Sequence, residues 1–126
     1  MRHFIAYHNS EKMKREKIEL TSPYVITKKN VSNLIGVTVW LISGEGRSPK
    51  SYFLASKFIA DKCERDKLPG TELPNKISGS GTLYGTSIPI SGTKLLVMIQ
   101  KHSNNFRNGF HEVRDEEIVK MLTVLV

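Results

Sequence analysis

Val37-Thr38-Val39-Trp40-Leu41-Ile42-Ser43 and, further on, Ser51-Tyr52-Phe53-Leu54-Ala55-Ser56-Lys57-Phe58-Ile59-Ala60 are the stretches that decide the fold. β-branched and aromatic residues fill both, and such side chains fit a pleated, half-buried surface. The connector Gly44-Glu45-Gly46-Arg47-Ser48-Pro49-Lys50 suits a hairpin loop, so the two strands are expected to pair antiparallel. Alternation along the second strand puts Tyr52, Leu54, Ser56 and Phe58 on one face and Phe53, Ala55, Lys57 and Ile59 on the other. Both faces should therefore be partly buried.

Working towards the N-terminus, Asn30 to Gly36 reads as a helical turn that Gly36 ends, and Tyr24-Val25-Ile26-Thr27 as a short strand. Glu11 to Ser22 is rich in Lys and Glu without a clean apolar face and is expected to be a loop with a partial helix. Phe4-Ile5-Ala6-Tyr7-His8 is an apolar strand closed by Asn9-Ser10. Towards the C-terminus, Glu64 to Gly81 holds Pro69, Pro74, Gly70, Gly79 and Gly81 and reads as a loop. Thr82 to Ile90 and Lys94 to Gln100 are further strand candidates, separated by Ser91-Gly92-Thr93. After Phe110-His111-Glu112-Val113 the period changes: Asp115 can cap a terminal helix in which Ile118, Met121, Leu122 and Leu125 recur at helical spacing. Glu116 and Glu117 in its first turn suit the helix dipole.

A chain of 126 residues, 39% hydrophobic and 25% charged, is expected to form one domain over residues 1–126. No apolar run approaches the roughly 20 residues that cross a bilayer, and Met1 to Tyr7 is too short in its apolar part for a secretory signal. No membrane association is expected, and a cytoplasmic location is the default. Cys63 is the only cysteine, which excludes an internal disulfide and a multi-cysteine zinc site. The formal net charge of +7 is the strongest signal in the composition, because such an excess concentrates polyanions around the protein whatever its fold.

No catalytic constellation stands out. Gly79-Ser80-Gly81-Thr82-Leu83-Tyr84-Gly85 has the letters of a phosphate loop but no helix pattern after it, so a turn is the plainer reading. His3, His8, His102 and His111 lack the same-face spacing of a hydrolytic zinc motif, and Asp61, Asp66, Glu72, Glu112 and Asp115 show no spacing that fixes two together. No catalytic residue, metal or cofactor is therefore expected. Cations and aromatics do interleave, first around Arg47, Lys50, Tyr52, Phe53 and Lys57, then across Lys101, His102, Asn104, Asn105, Phe106 and Arg107. This is the chemistry of a nucleic-acid surface, in which cations hold phosphates and a ring stacks on an unpaired base. The phosphate-binding candidates are Lys28, Lys29, Arg47, Lys50, Lys57, Lys101 and Arg107. Trp40 is read first as core and second as a stacking platform.

The element order resembles the PUA-like superfamily, specifically its EVE branch, related to the YTH readers of methylated adenine and the SRA readers of methylated cytosine. His3-Phe4-Ile5-Ala6-Tyr7-His8-Asn9 is similar to the family's first strand, which runs into a polar pocket residue. Val31 to Ile42 is similar to its short helix, turn and central strand, with Val37 in place of the usual Asp. Ser51 to Asp61 resembles the next strand, and Phe110 to Leu122 the closing strand, acidic turn and helix. The resemblance implies a mainly β (α+β) PUA-like barrel with short helices and a C-terminal helix. It implies a base pocket taken from His8, Asn9, Trp40 and Ser43, with Tyr52 and Phe106 as further candidates. Recognition without chemistry would follow: a flipped base, possibly methylated, entering an aromatic slot while Lys and Arg hold flanking phosphates. Such a reader would be DNA- or RNA-binding, alone or as the specificity domain of a restriction system beside a fused or separate effector. A small nuclease, with carboxylates converging from distant segments, or a nucleic-acid-modifying enzyme is the alternative, and a protein-interaction module a third reading.

Overall fold

The computed structural model describes residues 2–9, 24–27, 33–45, 51–64, 75–81, 88–104, 106 and 109–125, with main chain alone at 8–9, 24–27, 45, 64, 75–76 and 80–81. Its strands are β1 (His3–Asn9), β2 (Tyr24–Thr27), β3 (Thr38–Glu45), β4 (Ser51–Glu64), β5 (Asn75–Gly81), β6 (Ile88–Pro89) and β7 (Phe110–Val113). The helices are α1 (Lys94–His102) and α2 (Glu116–Val124). One mixed sheet runs in the order β2-β5-β4-β3-β1-β7, with β6 paired to the start of β4. The expected β3–β4 hairpin is present and antiparallel, whereas β1 lies parallel to β3, bringing Tyr7 level with Ile42 and Asn9 level with Gly44. The mainly β architecture is as expected. The barrel is not: among the described residues the sheet is open, and β2 and β7 form its two edges.

The two faces of the sheet bury separate cores. On one, Ile5, Trp40, Ile42 and Leu54 pack beneath Leu95, Leu96 and Ile99 of α1 and Ile118 and Leu122 of α2. On the other, Phe4, Ala6, Val39, Leu41, Ala55, Phe58, Ala60 and Ile77 gather with Phe110, and Leu34 and Val37 close one end. Register shifts between Leu41 and Ile42 and between Ala60 and Lys62 each insert an extra residue, which bends a strand and increases its twist.

Two stretches differ from their sequence reading. Lys94–Gln100 is the body of α1 and not a strand. The run Leu95-Leu96-Val97-Met98-Ile99 is apolar throughout and fits either period. Its boundaries decide: the Thr93 hydroxyl accepts the Leu96 N–H at 3.2 Å and donates to the Ile90 carbonyl at 2.6 Å. Lys101 and His102 then fall in the last turn, where the helix dipole favours cations. Within the supposed loop Glu64–Gly81, β4 extends to Glu64 and Asn75–Gly81 forms β5 between β2 and β4, while residues 65–74 lie outside the described ones. Gly79 is required there, since a Cβ would lie 2.8 Å from the Ile59 carbonyl carbon and 3.2 Å from the Phe58 ring. Of the strand expected over Thr82–Ile90, Ile88–Pro89 forms β6 and residues 82–87 lie outside the described ones. The terminal helix forms as expected, its first turn capped by the Asp115 carboxylate, which accepts the Glu117 N–H at 2.9 Å.

Candidate nucleic-acid interface

At the end of the sheet where β1, β3 and β4 finish or begin, three aromatic side chains meet. Tyr7 comes from β1, Tyr52 from the start of β4, and Phe106 from the turn after α1. Tyr7 and Phe106 stack with ring centres 4.2 Å apart and planes inclined by 15°. Tyr52 lies 5.6 Å from Phe106 and 6.3 Å from Tyr7. Tyr7 and Tyr52 are half-buried and pack against the helix-covered core, of which Phe106 is a buried member.

Local geometry explains why the rings gather. Gly44 pairs with Tyr52 across the β3–β4 ladder and leaves room that a side chain would take. A Cβ on Gly44 would collide with the Tyr7 hydroxyl and stand 2.9 Å from Cζ. Tyr52 is held from the other side, its N–H donating to Ser91 Oγ at 2.8 Å and its carbonyl accepting the Ile90 N–H at 2.9 Å. Phe106 has a φ of 64° and nearby Asn104 a φ of 53°. Left-handed backbone is uncommon outside Gly and costs a bulky residue about 1–3 kcal/mol, comparable with the ~0.5–1.5 kcal/mol that an aromatic pair contributes beyond its burial. Ser103 holds the turn in place: fully buried at 0%, its hydroxyl donates to the Ile99 carbonyl at 2.8 Å and accepts the Phe106 N–H at 3.0 Å. Burial, and secondarily the neighbouring Tyr52, push the Tyr7 phenol up to about 12, so it is a neutral hydrogen-bonding group at physiological pH.

Of the pocket candidates, the structure brings Tyr52 and Phe106 together and sets Trp40 and Ser43 apart from them. Trp40 is a core residue at 0% exposure, so its rings offer no face to a ligand. Its indole N–H donates to His3 Nδ1 at 3.0 Å, and Lys57 Nζ lies 4.8 Å from the ring centre. Ser43 is buried, and strand alternation directs it to the face opposite Gly44. His8 and Asn9 pair with Ser43 and Gly44 along the backbone, and their side chains lie outside the described residues.

Among the phosphate candidates, Lys57 is half-buried and closes over Trp40, and Lys101 is exposed in the last turn of α1. Lys28, Lys29, Arg47, Lys50 and Arg107 lie outside the described residues. In the sequence, Lys50 precedes Tyr52 by two residues and Arg107 follows Phe106 directly. Tyr7 and Gly44 are the site residues that sequence reasoning missed. The alternation of Ile5 and Tyr7 on one face of β1 was the available signal for the first. Nothing marked the second, which read as part of a turn.

Several other ionisable groups among the described residues have structural roles. Arg2 binds Glu112 through both guanidinium and carboxylate edges at 3.0 and 3.2 Å, and that hydrogen bonding holds the Glu112 carboxyl below its ordinary range. Asp115 caps α2, while burial pushes the Cys63 thiol up, away from the thiolate a nucleophile needs. His102 and His111 stack at 5.0 Å, but among the described residues no three His, Cys, Asp or Glu side chains gather to hold a metal ion. Nor, among those residues, is any helix long and apolar enough to cross a membrane. No family model, curated protein or solved structure matches this chain.

Proposed function

We propose that this chain is a nucleic-acid-binding domain that holds an unpaired or flipped base against the Tyr7–Tyr52–Phe106 cluster while its excess of Lys and Arg neutralises flanking phosphates. The observation that carries this reading is the cluster itself: two half-buried tyrosines and a phenylalanine in a left-handed backbone, at one end of the sheet of a chain with a net charge of +7. Ring faces attract bases of any sequence, and cations attract the backbone between them. Two of the described carboxylates, Glu112 in its ion pair with Arg2 and Asp115 at its helix cap, have structural roles. The resemblance to the PUA-like superfamily belongs to the same proposal. The terminal β7–α2 unit, which the resemblance expects, supports it, and the open sheet departs from it. The preference for a methylated base that the resemblance implies belongs to the same proposal.

Fluorescence anisotropy with labelled single strands, duplexes and their methylated counterparts, at low and raised salt, tests the proposal. Binding that keeps a preference among bases or strand states at raised salt supports a base site. Affinity that is uniform and disappears with salt would reduce the protein to a polycation, and absence of binding at low salt would end the nucleic-acid reading.

A further inference from the structure

The ring geometry bears on how a base could reach this cluster. A flat ligand sandwiched between two rings needs about 7 Å between them, twice the contact distance of carbon atoms. Tyr7 and Phe106 are 4.2 Å apart and nearly parallel, so the Tyr7 face turned to Phe106 is already covered. The residue covering it is held there by a backbone conformation that bulky side chains avoid, at φ 64°. At 9% it is also the most exposed of the buried residues in its core cluster. Its turn is anchored on both sides. Ser103 is tied to the Ile99 carbonyl, and the Gly109 carbonyl accepts the Tyr7 N–H at 2.8 Å.

Resting on the nucleic-acid reading above, we propose that Phe106 is an internal stand-in for the ligand. Its ring occupies, in the free chain, the stacking place on Tyr7 that an unpaired base of a single strand takes on binding, and the base displaces it. Exchange of one ring for another keeps the Tyr7 face covered in both states, and leaving the left-handed conformation relieves backbone strain. Duplex DNA, whose bases are already stacked, does not make this exchange.

The test compares binding of a labelled oligothymidine, its abasic counterpart and a duplex by the wild-type chain, Phe106→Ala, Phe106→Leu and Tyr52→Ala. Both Phe106 variants are expected to bind the oligothymidine about tenfold more tightly, the factor that follows if the displaced arrangement makes up roughly a tenth of the free population. The abasic strand should not respond. Weaker or unchanged binding by both Phe106 variants would overturn the stand-in and make Phe106 an ordinary part of the platform or the core. Absence of binding by every protein would remove the nucleic-acid reading itself. If the variants fail to fold, the wild-type chain still decides. On saturation with oligothymidine the Phe106 ring resonances should lose the ring-current shift imposed by Tyr7, and their staying unchanged would overturn the proposal.

Discussion

Gly44→Ala adds one methyl group at the position where the structure has least room for it. The new Cβ would stand 2.9 Å from Tyr7 Cζ and 3.0 Å from Cε1, and closer still to the hydroxyl. Gly44 is not among the residues with left-handed backbone, so alanine brings no conformational penalty and the effect isolates the ring collision. Tyr7 is packed against Phe106 at 4.2 Å and cannot retreat without moving it. Overpacking of this kind costs about 1–3 kcal/mol, which for a chain of this length corresponds to a Tm lowered by roughly 4–12 °C. Urea denaturation of Gly44→Ala, Tyr7→Phe and the double variant separates the contributions. Tyr7→Phe removes the closest atom, so the double variant should be more stable than the sum of the single changes by at least ~0.5 kcal/mol. Additive effects, or a Gly44→Ala chain as stable as the wild type, would refute the packing described for the cluster.

Three further outcomes follow from individual contacts. Trp40 donates its buried indole N–H to His3 Nδ1, and burial, followed by nearby positive charge that includes Lys57, lowers the His3 pKa below 6.5. Stability from this pair is therefore complete above about pH 6.5 and falls as pH drops through the lowered folded value; denaturation across pH should show this loss, and His3→Gln, which can keep an acceptor for the indole, should remove His3's contribution to it. Ser103→Ala leaves the Phe106 N–H without its acceptor and should cost about 1–3 kcal/mol in denaturant, together with a change in the near-ultraviolet circular dichroism of the aromatic cluster. Ile99→Ala, which empties a fully buried site under α1, should cost about 2–5 kcal/mol in the same assay.

Much of the sheet was legible because its central strands carry their own signals. Val37–Ser43 and Ser51–Ala60 are dense in β-branched and aromatic residues and flank a glycine-containing connector, and they pair as that pattern requires. The terminal helix was equally legible from Asp115 and the spacing of Ile118 and Leu122. α1 was not, because five consecutive apolar residues satisfy both periods, and only Thr93 before them and the cations after them favour the helix. The residues of β5 read as a turn: Asn75-Lys76-Ile77-Ser78-Gly79-Ser80-Gly81 has one large apolar side chain and two glycines. Pairing with β2 and β4 overrides that weak local preference, and the close approach to β4 at Gly79 excludes larger residues. An open sheet in place of a barrel is decided by which edge strands meet, which no local pattern encodes. Two of the three rings of the aromatic cluster showed in the sequence because Tyr52 and Phe106 stand among cations. Tyr7 joins them through the parallel register of β1 on β3 and the left-handed turn at Phe106, both long-range consequences of the fold.

The account turns on whether a base, beyond its phosphate, is held at the Tyr7–Tyr52–Phe106 cluster. The most direct measurement is the affinity of the wild-type chain and of Tyr52→Ala for one single-stranded oligonucleotide with and without its bases, at two salt concentrations. The account predicts that the base-containing strand binds more tightly than the abasic one at both salts, and that Tyr52→Ala reduces this difference by about 1–3 kcal/mol. Equal affinities for the two strands, with both lost at the higher salt and unchanged by Tyr52→Ala, would contradict it.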